Sequence, residues 1–129
     1  MEKVLTIYVN CTEMHEVQSD AVTVRQVLFD GYAEGEAFRG KILPGGVDTQ
    51  TIPVDGDGML CARYMLEGRD SEGKDCQLYI ENTATLGGEI THPRFVSDSK
   101  VLSQLAKEKL QGRMISDEQG FRIEICAGE

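Results

Sequence analysis

The sequence has no tryptophan and only 3 prolines, 4 phenylalanines, 4 tyrosines and 2 histidines among its 129 residues. It also lacks any apolar run close to the roughly 20 residues that cross a bilayer, and its first residues are not the basic start of a signal peptide. We therefore expect a cytoplasmic protein that does not enter a membrane. At this length the chain is predicted to form one domain, residues 1–129, around one hydrophobic core.

Positive charge is scarce, since 13 Lys and Arg stand against 22 Asp and Glu, for a net charge of −9. Nucleic acid is not expected as a partner, because a phosphate-binding surface needs clustered cations. Glycine-rich dinucleotide and phosphate loops are also absent, so we expect no nucleotide cofactor. Cys11, Cys61, Cys76 and Cys126 lie too far apart for a Cys-x-x-Cys metal motif, which favours reduced, buried thiols and no metal.

What the chain does contain is 14 glycines and many short alternating segments. The alternation is cleanest over residues 76–83, where Cys76, Leu78 and Ile80 form one face of a predicted strand. Residues 38–52 include Pro44-Gly45-Gly46, so they are predicted to form two short strands joined by a sharp bend. A terminal hairpin is predicted around the turn at residues 117–120. In all, the pattern indicates seven to nine short strands.

One segment follows helical spacing instead. Leucines and other apolar residues recur every three or four positions over residues 97–110, which predicts a helix that begins at Ser97 or Asp98 and ends at Gly112. A parallel sheet would need several such helices as crossovers. The predicted fold class is therefore all-β and mainly antiparallel, a small closed or nearly closed β-barrel with one short helix near the C-terminus.

Two charged residues could place chemistry inside such a barrel. Asp48 follows the glycine bend, where it can point into the interior or cap turn amides. Arg63 lies in mid-strand, and its direction depends on the register. In one register Arg63 points inward, where a buried guanidinium needs Asp48 or an anionic ligand as its partner. The two registers turn different residues inward: Cys61, Arg63 and Met65 in the first, Ala62, Tyr64 and Leu66 in the second.

Three further side chains complete the candidate site. Tyr64 and Tyr79 can each present a hydroxyl to a ligand, or can be half-buried tyrosines with the hydroxyl at the surface. Glu81 shares a face with Tyr79 and could act as a general base if it is buried, or could be a solvated carboxylate. The candidate ligand-binding residues are thus Asp48, Arg63, Tyr64 and Tyr79, and the candidate catalytic residues are Asp48 and Glu81.

The order of turn and strand residues in the middle of the chain resembles the bacterial and fungal "domain of unknown function 3237", also called uncharacterised protein family 0311. The shared positions are Gly40, Pro44, Gly45, Gly46, Asp48, Asp55, Gly56, Ala62, Arg63, Tyr64, Asp70, Gly73 and Tyr79. Thr49 stands where the family usually has a tryptophan, which reduces the stacking surface of any pocket. The resemblance implies an antiparallel barrel like allene oxide cyclase or the lipocalins, and it brings no general biochemical activity.

Three functions fit this fold. The first is a barrel that encloses a small, partly apolar molecule, which could carry a carboxylate anchored by Arg63. The second is a cofactor-free cyclase or isomerase, in which Asp48 or Glu81 moves a proton while Arg63 or a tyrosine stabilises negative charge. The third is a filled barrel that acts through its outer surface, as a structural module or a homo-oligomer.

Overall fold

The computed structural model describes residues 1–118 and 120–128. Nine strands and one helix lie within these residues. The strands are β1 Glu2–Gln18, β2 Val22–Glu34, β3 Phe38–Ile42, β4 Val47–Pro53, β5 Met59–Asp70, β6 Asp75–Thr85, β7 Ile90–Ser97, β8 Leu110–Asp117 and β9 Gly120–Ala127, and the helix is α1 Lys100–Leu105.

The strands form one antiparallel sheet that curls into a nearly closed ring. Their order is β1-β9-β8-β7-β6-β5-β3-β2-β4, and further pairings of β1 with β2 and of β5 with β4 join the ends. Because β3 and β4 both pair with β2 and with β5, they share one position in the ring. The all-β antiparallel barrel with one short helix, predicted from the sequence, is confirmed.

The bend between β3 and β4 is also confirmed. Gly45 has a φ of +111°, a backbone conformation that favours glycine because it has no Cβ. On the far side of the bend, the carbonyl of Gly46 accepts a hydrogen bond from the Phe29 N–H at 3.1 Å. The bend thereby directs β4 along the N-terminal half of β2 and brings Asp48 opposite Ala62 of β5.

The register of β5 decides which side chains fill the barrel. Ala62, Tyr64 and Leu66 are buried, whereas Arg63 and Met65 are exposed on the outer face. The second of the two registers is therefore the correct one. It removes three largely apolar side chains from water and leaves the guanidinium hydrated, which avoids the cost of burying a charge.

The helix is shorter than the predicted one. It is capped by Ser99, whose hydroxyl accepts the N–H of Leu102 at 3.2 Å, and not by Ser97 or Asp98. Leu102 is fully buried and packs into the barrel core. The helix ends at Leu105, because Leu110 already begins β8 and pairs with Ala127.

The two ends of the ring differ. Helix α1 lies at the end where β5 turns into β6, and the Ser99 hydroxyl donates to Asp70 Oδ2 at 2.7 Å. At the other end β1 continues past Val9, its last residue paired with β9, and pairs with β2 as far as Gln18. This part of the β1–β2 hairpin, residues 10–18 and 23–30, is called the overhang below.

The four cysteines are free thiols. Cys76 is buried and Cys61 and Cys126 are partly buried, but Cys11 is exposed, so the prediction of buried thiols is wrong for Cys11. Cys11 pairs with Phe29 of β2 but lies beyond Val9, the last residue of β1 that pairs with β9. Across residues 1–118 and 120–128, no helix is long and apolar enough to cross a membrane.

Candidate functional site

A small cavity lies inside the ring near the overhang. Its volume of about 60 Å³ equals roughly two water molecules at about 30 Å³ each, or the head group of a larger molecule. Its wall is formed by Val9, Cys11, Val27, Phe29, Asp48, Leu60, Ala62, Tyr64, Asn82, Thr91, Met114, Phe121 and Ile123. The wall is therefore mostly apolar, with a few polar groups among the aliphatic and aromatic side chains.

Four of these wall residues have a buried oxygen that no described residue hydrogen-bonds. They are Asp48 (Oδ1), Tyr64 (the hydroxyl), Asn82 (Oδ1) and Thr91 (the hydroxyl). Tyr64, Asn82 and Thr91 are only 3%, 1% and 0% exposed. A buried polar group without a partner costs about 1–3 kcal/mol, and such groups are rare in native proteins. All four of these oxygens belong to residues of one cavity wall.

The register of three neighbouring strands places two of these oxygens on either side of a small residue. Asp48 of β4 lies opposite Ala62 of β5, and Ala62 lies opposite Asn82 of β6. Since adjacent strands are about 4.8 Å apart, the backbones at Asp48 and Asn82 are separated by roughly 10 Å. The single methyl group of Ala62 leaves the space between the two polar side chains open.

Aromatic and glycine residues position the other two oxygens. Tyr64 packs edge-to-face on Phe29, with ring centroids 5.1 Å apart, which fixes the phenol ring inside the barrel. Thr91 lies opposite Gly112 at the β7–β8 pairing. A Cβ at residue 112 would collide with the Thr91 hydroxyl. Gly112, predicted from the sequence to end the helix, instead makes room for Thr91 in the cavity wall.

Asp48 is connected to the overhang by a chain of hydrogen bonds. Its Oδ2 accepts from Gln50 Nε2 at 3.0 Å, and Gln50 Oε1 accepts from Arg25 Nη1 at 3.1 Å. Arg25 Nε then donates to Glu16 Oε1 at 2.8 Å. Burial raises the pKa of Asp48, and the weaker effect of the Gln50 hydrogen bond lowers it. Asp48 is thus a half-buried carboxyl group whose Oδ2 accepts a hydrogen bond from Gln50 and whose Oδ1 is buried with no hydrogen-bond partner among the described residues.

Three of the predicted site residues lie together on the outside of the barrel. Arg63 Nε and the Tyr79 hydroxyl both donate to Glu81 Oε2, each at 3.0 Å. The Arg63 side chain is 58% exposed, and its hydrogen bond lowers the pKa of Glu81. The hypothesis of an interior Arg63–Asp48 pair is therefore wrong, and so is that of Glu81 as an enclosed base. Tyr79 shares this outer face and is absent from the cavity wall.

The sequence named Asp48 and Tyr64 as candidates and left their direction open; the structure places both in the cavity wall, together with Asn82 and Thr91, which were not predicted from the sequence. A signal for Asn82 was available, because it continues the inward face of Cys76, Leu78 and Ile80 and is a polar residue in an apolar series. No comparable signal existed for Thr91. Its strand contains Pro93, which argues against a central strand when the sequence is read alone.

The cavity has little positive charge to offer a ligand. In the described part of the wall there is no Lys, Arg or His, and Asp48 is the one acidic residue. Across the described chain, no group of three or more His, Cys, Asp or Glu side chains could hold a metal ion. The site is therefore suited to receive hydrogen-bond donors.

Comparison with known sequences gives a family but no activity. Residues 1–104 match the family described as "Protein of unknown function (DUF3237)". A UPF0311 protein of Clostridium acetobutylicum is 40% identical over 67 residues. The match covers 50% of this chain and 40% of that relative, so the chain spans less than half of the relative's length.

Comparison with solved structures shows the fold. A protein of unknown function from Clostridium acetobutylicum has a TM-score of 0.79 and 22% identity, over 98% of this chain and 94% of that one. A β-barrel-like protein from Acinetobacter baumannii has a TM-score of 0.78 and 19% identity, over 98% and 93%. An enzyme from Penicillium herquei has a TM-score of 0.74 and 18% identity, over 97% and 92%.

Proposed function

The chain belongs to the DUF3237 family of proteins of unknown function, and from the geometry of its interior we propose that it binds the polar head group of a small, partly apolar molecule. The observation that carries this proposal is the set of four buried oxygens that have no hydrogen-bond partner among the described residues and surround one partly enclosed cavity. A ligand that forms hydrogen bonds with these oxygens offsets the free-energy cost of burying them. Mostly apolar pockets with a few convergent polar groups are typical small-molecule sites.

The cavity size limits how such a ligand binds. A space of about 60 Å³ admits a head group of only a few non-hydrogen atoms. The remainder of the molecule then lies toward the overhang, where Val27 and Met14 pair on the inner face next to Asp48. The ligand is thus expected to have a polar end that enters the barrel and an apolar body that stays near its mouth.

The ligand is not proposed to be anionic. That hypothesis depended on an inward Arg63, and Arg63 lies outside, paired with Glu81. A carboxylate in the cavity would meet the Asp48 carboxyl group with no wall cation between them. Like charges at that range repel strongly in a poorly hydrated site.

Filling the cavity tests the proposal. We expect Ala62→Leu to fold, because the added atoms enter existing space, and to lose ligand binding. A thermal-shift screen of small amines, amides, alcohols and ketones should give compounds that raise the Tm of the wild type but not of Ala62→Leu. Arg63→Ala is the matched control on the outer face of the same strand, and the same compounds should raise its Tm. A ligand at about 100 times its Kd adds about 2.7 kcal/mol of stability. Compounds that stabilise Ala62→Leu equally would place binding elsewhere.

A second candidate function is proton transfer by a cofactor-free isomerase or cyclase. It is supported by the raised pKa and free Oδ1 of Asp48, which suit a general base, and by the Tyr64 hydroxyl, which can donate to a developing oxyanion. The Penicillium herquei protein of the same fold is described as an enzyme. Glu81 has no part in this version, since it lies on the outer face.

Solvent exchange detects such an activity without a known substrate. Small enolisable ketones incubated with the protein in heavy water should gain deuterium next to the carbonyl. Asp48→Asn should abolish the exchange, and Tyr64→Phe should slow it by roughly 100-fold, the usual effect of one oxyanion donor. Glu81→Gln is the control and should exchange like the wild type. Exchange that persists in Asp48→Asn would exclude Asp48 as the base.

A further inference from the structure

The cavity wall combines a carboxyl group with further oxygen acceptors and has no described cation. From this combination we propose that the head group bound in the cavity is a primary ammonium, so that the ligand class is small primary amines in their protonated form. The inference rests on the proposed function of the cavity as a ligand site. It goes further by assigning the charge and the hydrogen-bonding character of the ligand.

Counting donors and acceptors distinguishes the possible head groups. Asp48 Oδ1 and Asn82 Oδ1 can only accept hydrogen bonds, whereas the hydroxyls of Tyr64 and Thr91 can accept or donate. A carboxylate or a ketone brings acceptors alone and leaves Asp48 and Asn82 unpartnered. An alcohol brings one donor. An ammonium brings three, enough for both carbonyl-type oxygens and one hydroxyl.

Charge favours the same head group. Asp48 is a half-buried carboxyl group, and a cation beside it offsets part of its desolvation cost while forming a charge-assisted hydrogen bond. The rings of Phe29 and Phe121 line the same cavity, and aromatic faces attract ammonium groups. At longer range the net charge of −9 draws cations toward the protein and repels anions.

Few other titratable groups face Asp48. Tyr64 on β5 lies in the same wall, as does the exposed Cys11 on β1, and β6 contributes the uncharged Asn82. Cys61 on β5 also interacts electrostatically with Asp48. Beyond Gln50, Arg25 and Glu16 are paired with each other. Ammonium binding needs the ionised form of Asp48, whose pKa is raised by burial in the empty protein. The affinity for the ammonium should therefore increase as the pH rises through the pKa of Asp48 and then level off. Below that plateau, binding should release a proton from Asp48.

Three probes of four carbon atoms each, with different head groups, test the inference: butylamine, butan-1-ol and butyrate. Each is titrated into ¹⁵N- and methyl-labelled protein, and Kd is taken from the shifts of Leu60, Ala62 and Asn82. Butylamine should bind at least about tenfold more tightly than butan-1-ol, as expected for a hydrogen bond to a charged group, and butyrate should bind most weakly. Asp48→Asn should remove the preference for the amine over butan-1-ol. Glu81→Gln, a carboxylate outside the cavity, should change none of the three.

The outcomes separate this inference from the function on which it rests. Equal affinity for butylamine and butan-1-ol, or an amine preference that survives Asp48→Asn, would overturn the ammonium assignment and leave the cavity as a ligand site. If none of the three probes changes the spectrum of the wild type, both the ammonium assignment and the proposed ligand site are overturned. If Asp48→Asn proves unfolded, the pH dependence of butylamine binding to the wild type decides, since affinity that does not fall at low pH contradicts a role for the carboxylate.

Discussion

One carboxylate oxygen of Asp48 accepts a hydrogen bond from Gln50. The other oxygen lies inside the barrel and has no hydrogen-bond partner among the described residues. Burial raises the pKa of Asp48, so the ionised form of this group lowers the stability of the folded protein. Such a local cost is common at functional sites, where activity and stability trade against each other.

Asp48→Asn should make the empty protein more stable at pH 7. An acid whose folded pKa is raised binds more protons in the folded than in the unfolded state, so stability falls as the pH rises from the unfolded pKa, about 4, through the folded one. Asparagine has no charge to desolvate and keeps an oxygen for Gln50. We expect the Tm at pH 7 to rise by roughly 2–6 °C, as for about 1 kcal/mol, and the difference to disappear below about pH 4.

Glu81→Gln is the control for this prediction. Glu81 is an exterior carboxylate whose pKa is lowered, chiefly by the hydrogen bond from Arg63. Its replacement removes a favourable partner, so its Tm at pH 7 should stay level or fall. A lower Tm for Asp48→Asn than for the wild type would show that the carboxylate is satisfied in the folded protein and would remove the argument for a functional role.

The sequence allowed Asp48 and Tyr64 to be recognised as candidates but did not settle the direction of Arg63. Both faces of β5 contain apolar residues, Cys61 and Met65 on one side and Ala62 and Leu66 on the other, so alternation alone cannot choose between them. The register is chosen by the whole ring, which buries the larger apolar set. A residue such as Thr91 depends on a pairing with Gly112, more than 20 positions away, and no local pattern reports it.

The junction of α1 with the β5–β6 turn is the clearest link between elements. Asp70 Oδ1 accepts the N–H groups of Glu72 and Lys74 at 2.9 and 3.1 Å, and Asp70 Oδ2 accepts the Ser99 hydroxyl at 2.7 Å. The same Ser99 hydroxyl accepts the N–H of Leu102. One carboxylate therefore holds the turn, the helix cap and the end of the barrel together.

Ser99→Ala should loosen this end of the barrel. It removes the helix cap and one partner of Asp70, and loss of a cap typically costs about 1 kcal/mol. We expect a lower midpoint in urea, with Ser71→Ala in the exposed turn as the control that does not change it. Faster amide exchange should be confined to α1 and the β5–β6 turn. Equal exchange rates in Ser99→Ala and the wild type would mean that the junction is not needed to hold the helix.

The Asp70 carboxylate should also make this end sensitive to acid. The Ser99 hydrogen bond is the main cause of the lowered pKa of Asp70. A lowered folded pKa contributes stability that is complete above the unfolded pKa, about 4, and is lost as the pH falls through the folded one. Asp70→Asn should therefore have a lower Tm than the wild type at pH 7, and the two values should converge as the pH falls below about 4. A gap that is unchanged by pH would assign the effect to packing.

Element boundaries were predictable where turns fix them. The bend at Gly45 and the strand over residues 76–83 followed from glycine chemistry and alternation. The helix over residues 97–110 was overextended because the leucine spacing is also compatible with a short helix followed by a strand. The pairing of β8 with β9 decides where the helical segment stops, because β8 begins at Leu110, opposite Ala127 of β9. The strand β7 was missed because Pro93 lies in it, on a strand whose described pairing with β8 is limited to Ile90 and Thr91.

For the whole molecule, closure of the ring and the net charge have opposite effects on stability. The ring leaves few strand edges open, which stabilises an all-β protein. The 22 acidic residues against 13 basic ones repel one another across a small surface. The described ion pairs are mostly exposed, as for Arg69–Asp75 with 71% and 86% side-chain exposure, and such pairs contribute little. Net repulsion should therefore dominate the electrostatic contribution to stability at pH 7.

Added salt should consequently stabilise the empty protein at neutral pH. The screening length falls from about 30 Å at 0.01 M to about 3 Å at 1 M, which removes repulsion between distant carboxylates. We expect the Tm at pH 7 to rise by roughly 2–5 °C between low salt and 1 M NaCl, as for about 1 kcal/mol. Near the pI of about 4.7 the net charge vanishes, so the same salt should have little effect. A Tm that falls with NaCl at pH 7 would mean that the ion pairs outweigh the excess negative charge, and that the surface field is too weak to draw cationic ligands toward the cavity.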